Sequence, residues 1–135
     1  MKTQDLKKAG LTATVPRLTI LSLLEAGKTR HMSAEGIYKA LAETGEDVSL
    51  ATIYRVLQQF TAAGLVSRLN LEVGHAVYEI ADGSHHDHMC CVKCGKIEEF
   101  VDDVIESHQR DIAAKAGWTI TDHTMVIYGL CSTCQ

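Results

Sequence analysis

Four of the five cysteines stand as two Cys-x-x-Cys pairs, Cys91 with Cys94 and Cys131 with Cys134, and 36 residues separate the pairs. A two-residue loop lets both thiolates of a pair reach one ion, and two such pairs complete a tetrahedral sulfur set at Zn–S distances of about 2.3 Å. The spacing therefore points to structural zinc rather than to a redox dithiol or to four unrelated buried thiols. Cys90 has no partner in this scheme and reads as a small packing residue. In a reducing compartment paired thiols serve as metal ligands more often than as disulfides.

Immediately before the first pair runs His85-His86-Asp87-His88. On a strand alternate side chains face opposite ways, so His85 and Asp87 share one side while His86 and His88 share the other. One tetrapeptide can thus feed two metal sites. Each needs further ligands, and His31, Glu79, Glu99, Glu106 and His123 are the available donors. Mixed imidazole and carboxylate sets suit divalent iron, manganese, cobalt or zinc and leave coordination open to exchange. His75 and His108 read as solvated.

The elements that must position these groups begin with helices. Pro16 can open a helix with Leu18, Leu21 and Leu24 on one face, closed by Gly27. Ser33 can cap a second helix carrying Ile37 and Leu41 and ending near Gly45. Ser49 can cap a third, in which Ile53, Val56, Leu57 and Phe60 repeat at helical spacing until Gly64. The opposite face of this third helix presents Thr52, Arg55, Gln58 and Gln59, with Tyr54 at its edge, side chains able to reach base edges or phosphates. Segments 65–69 and 76–80 flank a turn-like stretch with Asn70 and Gly74 and predict a hairpin. Three helices followed by a hairpin describe a winged helix-turn-helix, so the third helix is the expected recognition element.

Residues 81–84 (Ala-Asp-Gly-Ser) break the pattern. Beyond them strands are expected over 85–92, 97–101 and 119–130, around a helix over 103–116 closed by Gly117. The fold class is α+β: a winged-helix domain over 1–81, a hinge over 82–84, and a small α/β domain with structural zinc over 85–135.

The composition, 46% hydrophobic and 22% charged, is that of a soluble globular chain. No apolar run reaches the roughly 18 residues that span a bilayer, and the charged first residues are followed by no apolar core of a secretory signal, so a cytoplasmic protein without a membrane is expected. Residues 1–80 carry nine Lys and Arg against eight Asp and Glu, whereas 81–135 carry four against nine. Net charge alone does not suggest DNA. Any nucleic-acid surface must be local to the first half, and the acidic, His-rich second half suits cations.

Leu50-Ala51-Thr52-Ile53-Tyr54-Arg55-Val56-Leu57 resembles the recognition-helix signature of the ferric uptake regulator family. The run His85-His86-Asp87-His88-Met89-Cys90-Cys91-Val92-Lys93-Cys94-Gly95 resembles the family's metal-binding signature, and the resemblance extends along nearly the whole chain. It implies a homodimer, with tetramers left open, that binds double-stranded operator DNA. Tyr54, Arg55, Thr52 and Gln58 become the DNA-contacting residues. A sensory site would take His31, Glu79, His86, His88 and Glu99; a second site would take His85, Asp87, Glu106 and His123. Fe(II) is the implied sensory ion, with Mn(II), Co(II) or Zn(II) as substitutes, and the four Cys hold zinc. Peroxide sensors in the family tend to carry aspartates where Glu79 and Glu99 stand here, which favours iron sensing and repression of iron-acquisition genes. Thr12 departs from the basic residue that many relatives carry at its position. The rival readings are a zinc, manganese or peroxide sensor of the same fold, and a metallohydrolase built on the His/carboxylate clusters. The hydrolase reading finds no nucleophile motif and gives the helical half no role.

Overall fold

The computed structural model describes residues 2–26, 31–72 and 75–135. Gly27 and Gly74, expected at a helix end and a hairpin turn, lie outside them. Contacts divide the chain into two units, Met1–Gly83 and Ser84–Gln135.

The first unit contains α1 (Lys2–Lys8), α2 (Val15–Ala26), α3 (Ala34–Glu43), α4 (Leu50–Ala62), β1 (Val66–Asn70) and β2 (Ala76–Ile80). Ser33 Oγ accepts the Gly36 N–H at 3.0 Å and Ser49 Oγ accepts the Thr52 N–H at 3.2 Å. Both expected caps thus satisfy a donor that the first helical turn leaves open. Gly64 ends α4 at φ +77°, a conformation that lets the Leu65 N–H reach back to the Phe60 carbonyl. The apolar stripes of α2, α3 and α4 converge on one core: Ile20, Leu21, Ile37, Ile53, Leu57 and Phe60 are at most 2% exposed, each such burial stabilising by about 1.5–3 kcal/mol. β1 and β2 form the antiparallel hairpin, Val66 opposite Ile80 and Asn70 opposite Ala76. The winged helix-turn-helix is therefore present, one helix larger than its expected form. The addition, α1, drives Leu6 into the same core at 0% exposure.

The second unit is a three-stranded sheet in the order β4-β3-β5, made of β3 (Asp87–Cys91), β4 (Ile97–Phe100) and β5 (Val126–Gly129), with helix α5 (Asp103–Lys115). β3 pairs antiparallel with β4 and parallel with β5. Two expected strands are corrected. The first starts at Asp87, not at 85, because its ladder with β4 begins at Asp87 opposite Phe100. The last occupies only Val126–Gly129, since 119–125 make no ladder. Asp102 caps α5 by accepting the Val104 and Ile105 N–H groups at 2.9 and 3.1 Å. Among the described residues of this unit the buried ones are Asp87, His88, Cys90 and Cys91, and α5 buries none. A unit of this size without an apolar core needs another source of stability. Among the described residues no helix is long and apolar enough to cross a membrane.

Candidate metal centres and candidate recognition helix

The strand β3 ends at Cys91 and a turn brings Cys94 back onto it, the Gly95 N–H closing on the Cys91 carbonyl at 2.9 Å. A second turn follows β5, where the Cys134 N–H bonds the Cys131 carbonyl at 3.0 Å. Because β5 runs beside β3, with Gly129 opposite Cys91, the two turns face each other. All four Sγ atoms lie within 4.8 Å of one another, and those of Cys94 and Cys131 stand 3.7 Å apart. Thiolates around a tetrahedral zinc at about 2.3 Å are about 3.8 Å from each other, so the cluster fits structural zinc.

Its electrostatics agree. The Cys131 and Cys94 N–H groups both point at Cys91 Sγ, at 3.4 and 3.5 Å, and hold that thiol down to about 6. Cys131 is also lowered, chiefly by the Cys134 thiol, whereas Cys134 is pushed up to about 12 by its hydrogen bonds with Cys131 and Cys94. Negative charge comes easily to the first sulfur and with difficulty to the last; a divalent cation is the charge that lets all four be thiolates. Cys90 is buried and its thiol is raised by desolvation, as suits a packing residue.

A second cluster lies wholly within the second unit. His85, Asp87, Glu106 and His123 place one ligand atom each within 4.8 Å of the others. His85 Nε2 is 3.3 Å from Asp87 Oδ1 and 3.2 Å from Glu106 Oε1; His123 Nε2 is 3.9 and 3.3 Å from the same two oxygens. Asp87 is 1% exposed, and neither of its carboxylate oxygens accepts a hydrogen bond. Burying such a group is costly unless cations or donors face it. Two imidazoles and two carboxylates converging on one point fit a divalent metal ion. The elements explain the meeting: Asp87 opens β3, Glu106 lies in the first turn of α5, and His123 is on the irregular segment before β5.

The five residues expected at the sensory site fall into two groups, each described within its own unit. In the first unit Met32 and Tyr78 form an isolated antiparallel bridge, with N–H to carbonyl bonds of 3.0 and 2.8 Å. That register sets residue 31 opposite residue 79, and His31 Nε2 lies 2.9 Å from Glu79 Oε2, both side chains nearly buried. In the second unit His88 pairs with Glu99 across β3 and β4. His86 Nε2 is 3.4 Å from Glu99 Oε1, and its ring centroid is 4.8 Å from that of His88. Strand alternation thus persists through 85 and 86, which lie outside the ladder.

On α4, Tyr54, Arg55 and Gln58 are exposed while Ile53, Val56, Leu57 and Phe60 are buried. Thr52 is half-buried beneath Ser49 and Arg55, whose hydroxyl and guanidinium donate to its Oγ1 at 2.9 and 3.4 Å. Two features escaped the sequence reading. Arg17 of α2 donates from Nε and Nη2 to Gln59 Oε1 at 3.3 and 3.0 Å, and from Nη1 to the Thr12 carbonyl at 2.8 Å, bracing α4 against the α1–α2 loop. The Tyr54 hydroxyl donates to the Glu35 carboxylate of α3. Neither pair is close in sequence, and no periodicity announces it.

Residues 8–128 match the model of the ferric uptake regulator family. The ferric uptake regulation protein of Legionella pneumophila is 58% identical over 134 residues, 99% of this chain and 98% of the relative. The solved Vibrio cholerae ferric uptake regulator is similar at a TM-score of 0.91 with 48% identity, covering 97% of this chain and all of that one. The Francisella tularensis ferric uptake regulator, solved with iron, matches at 0.88 and 40% identity over 93% of this chain and 95% of that one.

Proposed function

The chain belongs to the ferric uptake regulator family, and from that premise we propose that it senses Fe(II) through His31, Glu79, His86, His88 and Glu99 and represses iron-acquisition genes as a cytoplasmic homodimer on operator DNA. It is a metal-responsive transcriptional regulator and not an enzyme. The metallohydrolase reading falls with that membership.

The observation that carries the sensory reading is the pair of cross-strand registers. One sets His31 beside Glu79 in the first unit, and the other sets His86 and His88 beside Glu99 in the second. Two incomplete imidazole–carboxylate sets, one per unit, suit ligation that ties the units together, whereas His85, Asp87, Glu106 and His123 draw on the second unit alone. Mn(II), Co(II) and Zn(II) suit the same donors, so selection for iron rests on geometry and availability. The iron-bound Francisella relative supports the assignment.

Operator recognition falls to α4, which presents Tyr54, Arg55 and Gln58 with Thr52 at its start, in the position where a winged helix enters the major groove. Dimerisation falls to the second unit: Val104, Ile112, Trp118, Ile120, Ile127 and Leu130 stand 40–76% exposed there, more apolar surface than a lone domain ordinarily shows.

The test begins with protein isolated anaerobically. Metal analysis is followed by titration of Fe(II) and Mn(II) against binding to a duplex selected from a random-sequence pool. About one zinc per chain should resist exchange, as a closed structural site does, and Fe(II) should raise specific affinity by roughly 5- to 150-fold. Specific binding indifferent to Fe(II) would overturn the reading.

A further inference from the structure

Tyr54 stands on the exposed side of α4 at 45% exposure, within reach of a ligand. Its one proton is already committed. The hydroxyl donates to the carboxylate of Glu35, in the first turn of α3, and the acceptor's charge strengthens the bond. The two groups line a cup of about 210 Å³, whose other walls include Arg68 and His75. The same contact lowers Glu35 and raises Tyr54, so the carboxylate keeps its charge and the phenol keeps its proton.

A phenol has one donor hydrogen and can also accept. With the hydrogen given to Glu35, Tyr54 can offer an incoming duplex only lone pairs and the apolar edge of its ring. Phosphate oxygens are acceptors, so they gain no hydrogen bond from it. Donors do exist on base edges of the major groove, in the amino groups of cytosine and adenine, and the thymine methyl can take the ring edge. We propose that Glu35 is the positioning residue that makes Tyr54 a reader of bases, by occupying the phenol's proton and denying the hydroxyl to phosphate. Glu35 touches no DNA in this scheme; it acts through Tyr54. The inference rests on α4 as the groove-facing helix.

The experiment uses the full chain loaded with zinc and Mn(II). Affinity is measured for the duplex selected from a random pool and for an unrelated duplex of equal length, at one salt concentration, and the readout is their ratio. Glu35→Ala removes the acceptor and frees the phenol proton, and should lower the ratio roughly fivefold, the scale of one lost neutral hydrogen bond to a base edge. Glu35→Gln keeps an acceptor without the charge and should leave the ratio unchanged. In a Tyr54→Phe background the two Glu35 substitutions should become equivalent, since no phenol proton remains to be placed. Equal effects of Glu35→Ala and Glu35→Gln in the native background, or a ratio effect of Glu35→Ala that persists beside Tyr54→Phe, would overturn the proposal. Tyr54→Ala separates the two levels: a ratio it leaves untouched removes α4 from the groove, whereas a ratio it lowers beside an inert Glu35→Ala removes only the role of Glu35.

Discussion

Among the four sulfurs of the zinc cluster, Cys91 receives two backbone N–H groups and ionises near 6, while Cys134 resists ionisation up to about 12. Cys91 sits at the end of β3, the central strand of its sheet. Cys91→Ser should therefore remove about one zinc per chain and unfold the second unit, because metal binding in a small domain is itself folding free energy. Elemental analysis and the melting of the mutant check this. Retention of both zinc and melting temperature would refute it. Cys90→Ser, one residue away on the opposite strand face, should keep its zinc, since the Cys90 thiol is raised by burial and belongs to no cluster among the described residues.

At the scale of elements the clearest missed structure is α1. Its Leu6 is 0% exposed and joins the core with Ile20, Leu21 and Phe60, so Leu6→Ala should lower the stability of the first unit by about 2–5 kcal/mol. Denaturant unfolding followed by helical signal reads this out, and a cost below about 1 kcal/mol would mean that α1 only rests on the surface. A single leucine has no periodicity, which is why α1 was illegible, whereas the stripe from Ile53 to Phe60 between Ser49 and Gly64 made α4 legible. The hairpin was legible by its two β-rich runs, offset by one residue in β1. In the second unit the pattern fails for a physical reason. Its buried groups are ligand-type residues and cysteines, so hydrophobic alternation has little to report and the expected strand over 119–130 exceeds the observed Val126–Gly129. The ligand clusters were legible differently: pairwise spacing marked the four Cys, and strand alternation separated His85 and Asp87 from His86 and His88. The assignment of partners such as Glu106 and His123 came from resemblance, since residues 17 apart in sequence meet only through the fold.

At the scale of the whole molecule, what matters is which metal ligands can bias the relation between the two units, proposed to bind DNA and to dimerise respectively. A ligand that binds two arrangements equally shifts neither, however tightly it binds. His85, Asp87, Glu106 and His123 all belong to Ser84–Gln135, so ligation there stabilises that unit and whatever it packs against. His31 and Glu79 belong to Met1–Gly83, and His86, His88 and Glu99 to the second unit. If these five share one ion, as proposed, its binding energy depends on the arrangement of the units, and DNA affinity follows. Accordingly His31→Ala or His86→Ala should abolish metal-dependent operator binding while leaving zinc in place. His123→Ala or Glu106→Ala should retain the metal response and lower dimer stability instead, because Glu106 and His123 help enclose the buried Asp87. The measurement is a metal titration of operator binding for all four variants at fixed salt, beside sedimentation of each. A silent His123→Ala with a fully responsive His31→Ala would transfer the sensory role to the second cluster, and the response would then have to travel through the dimer interface rather than through the junction of the two units.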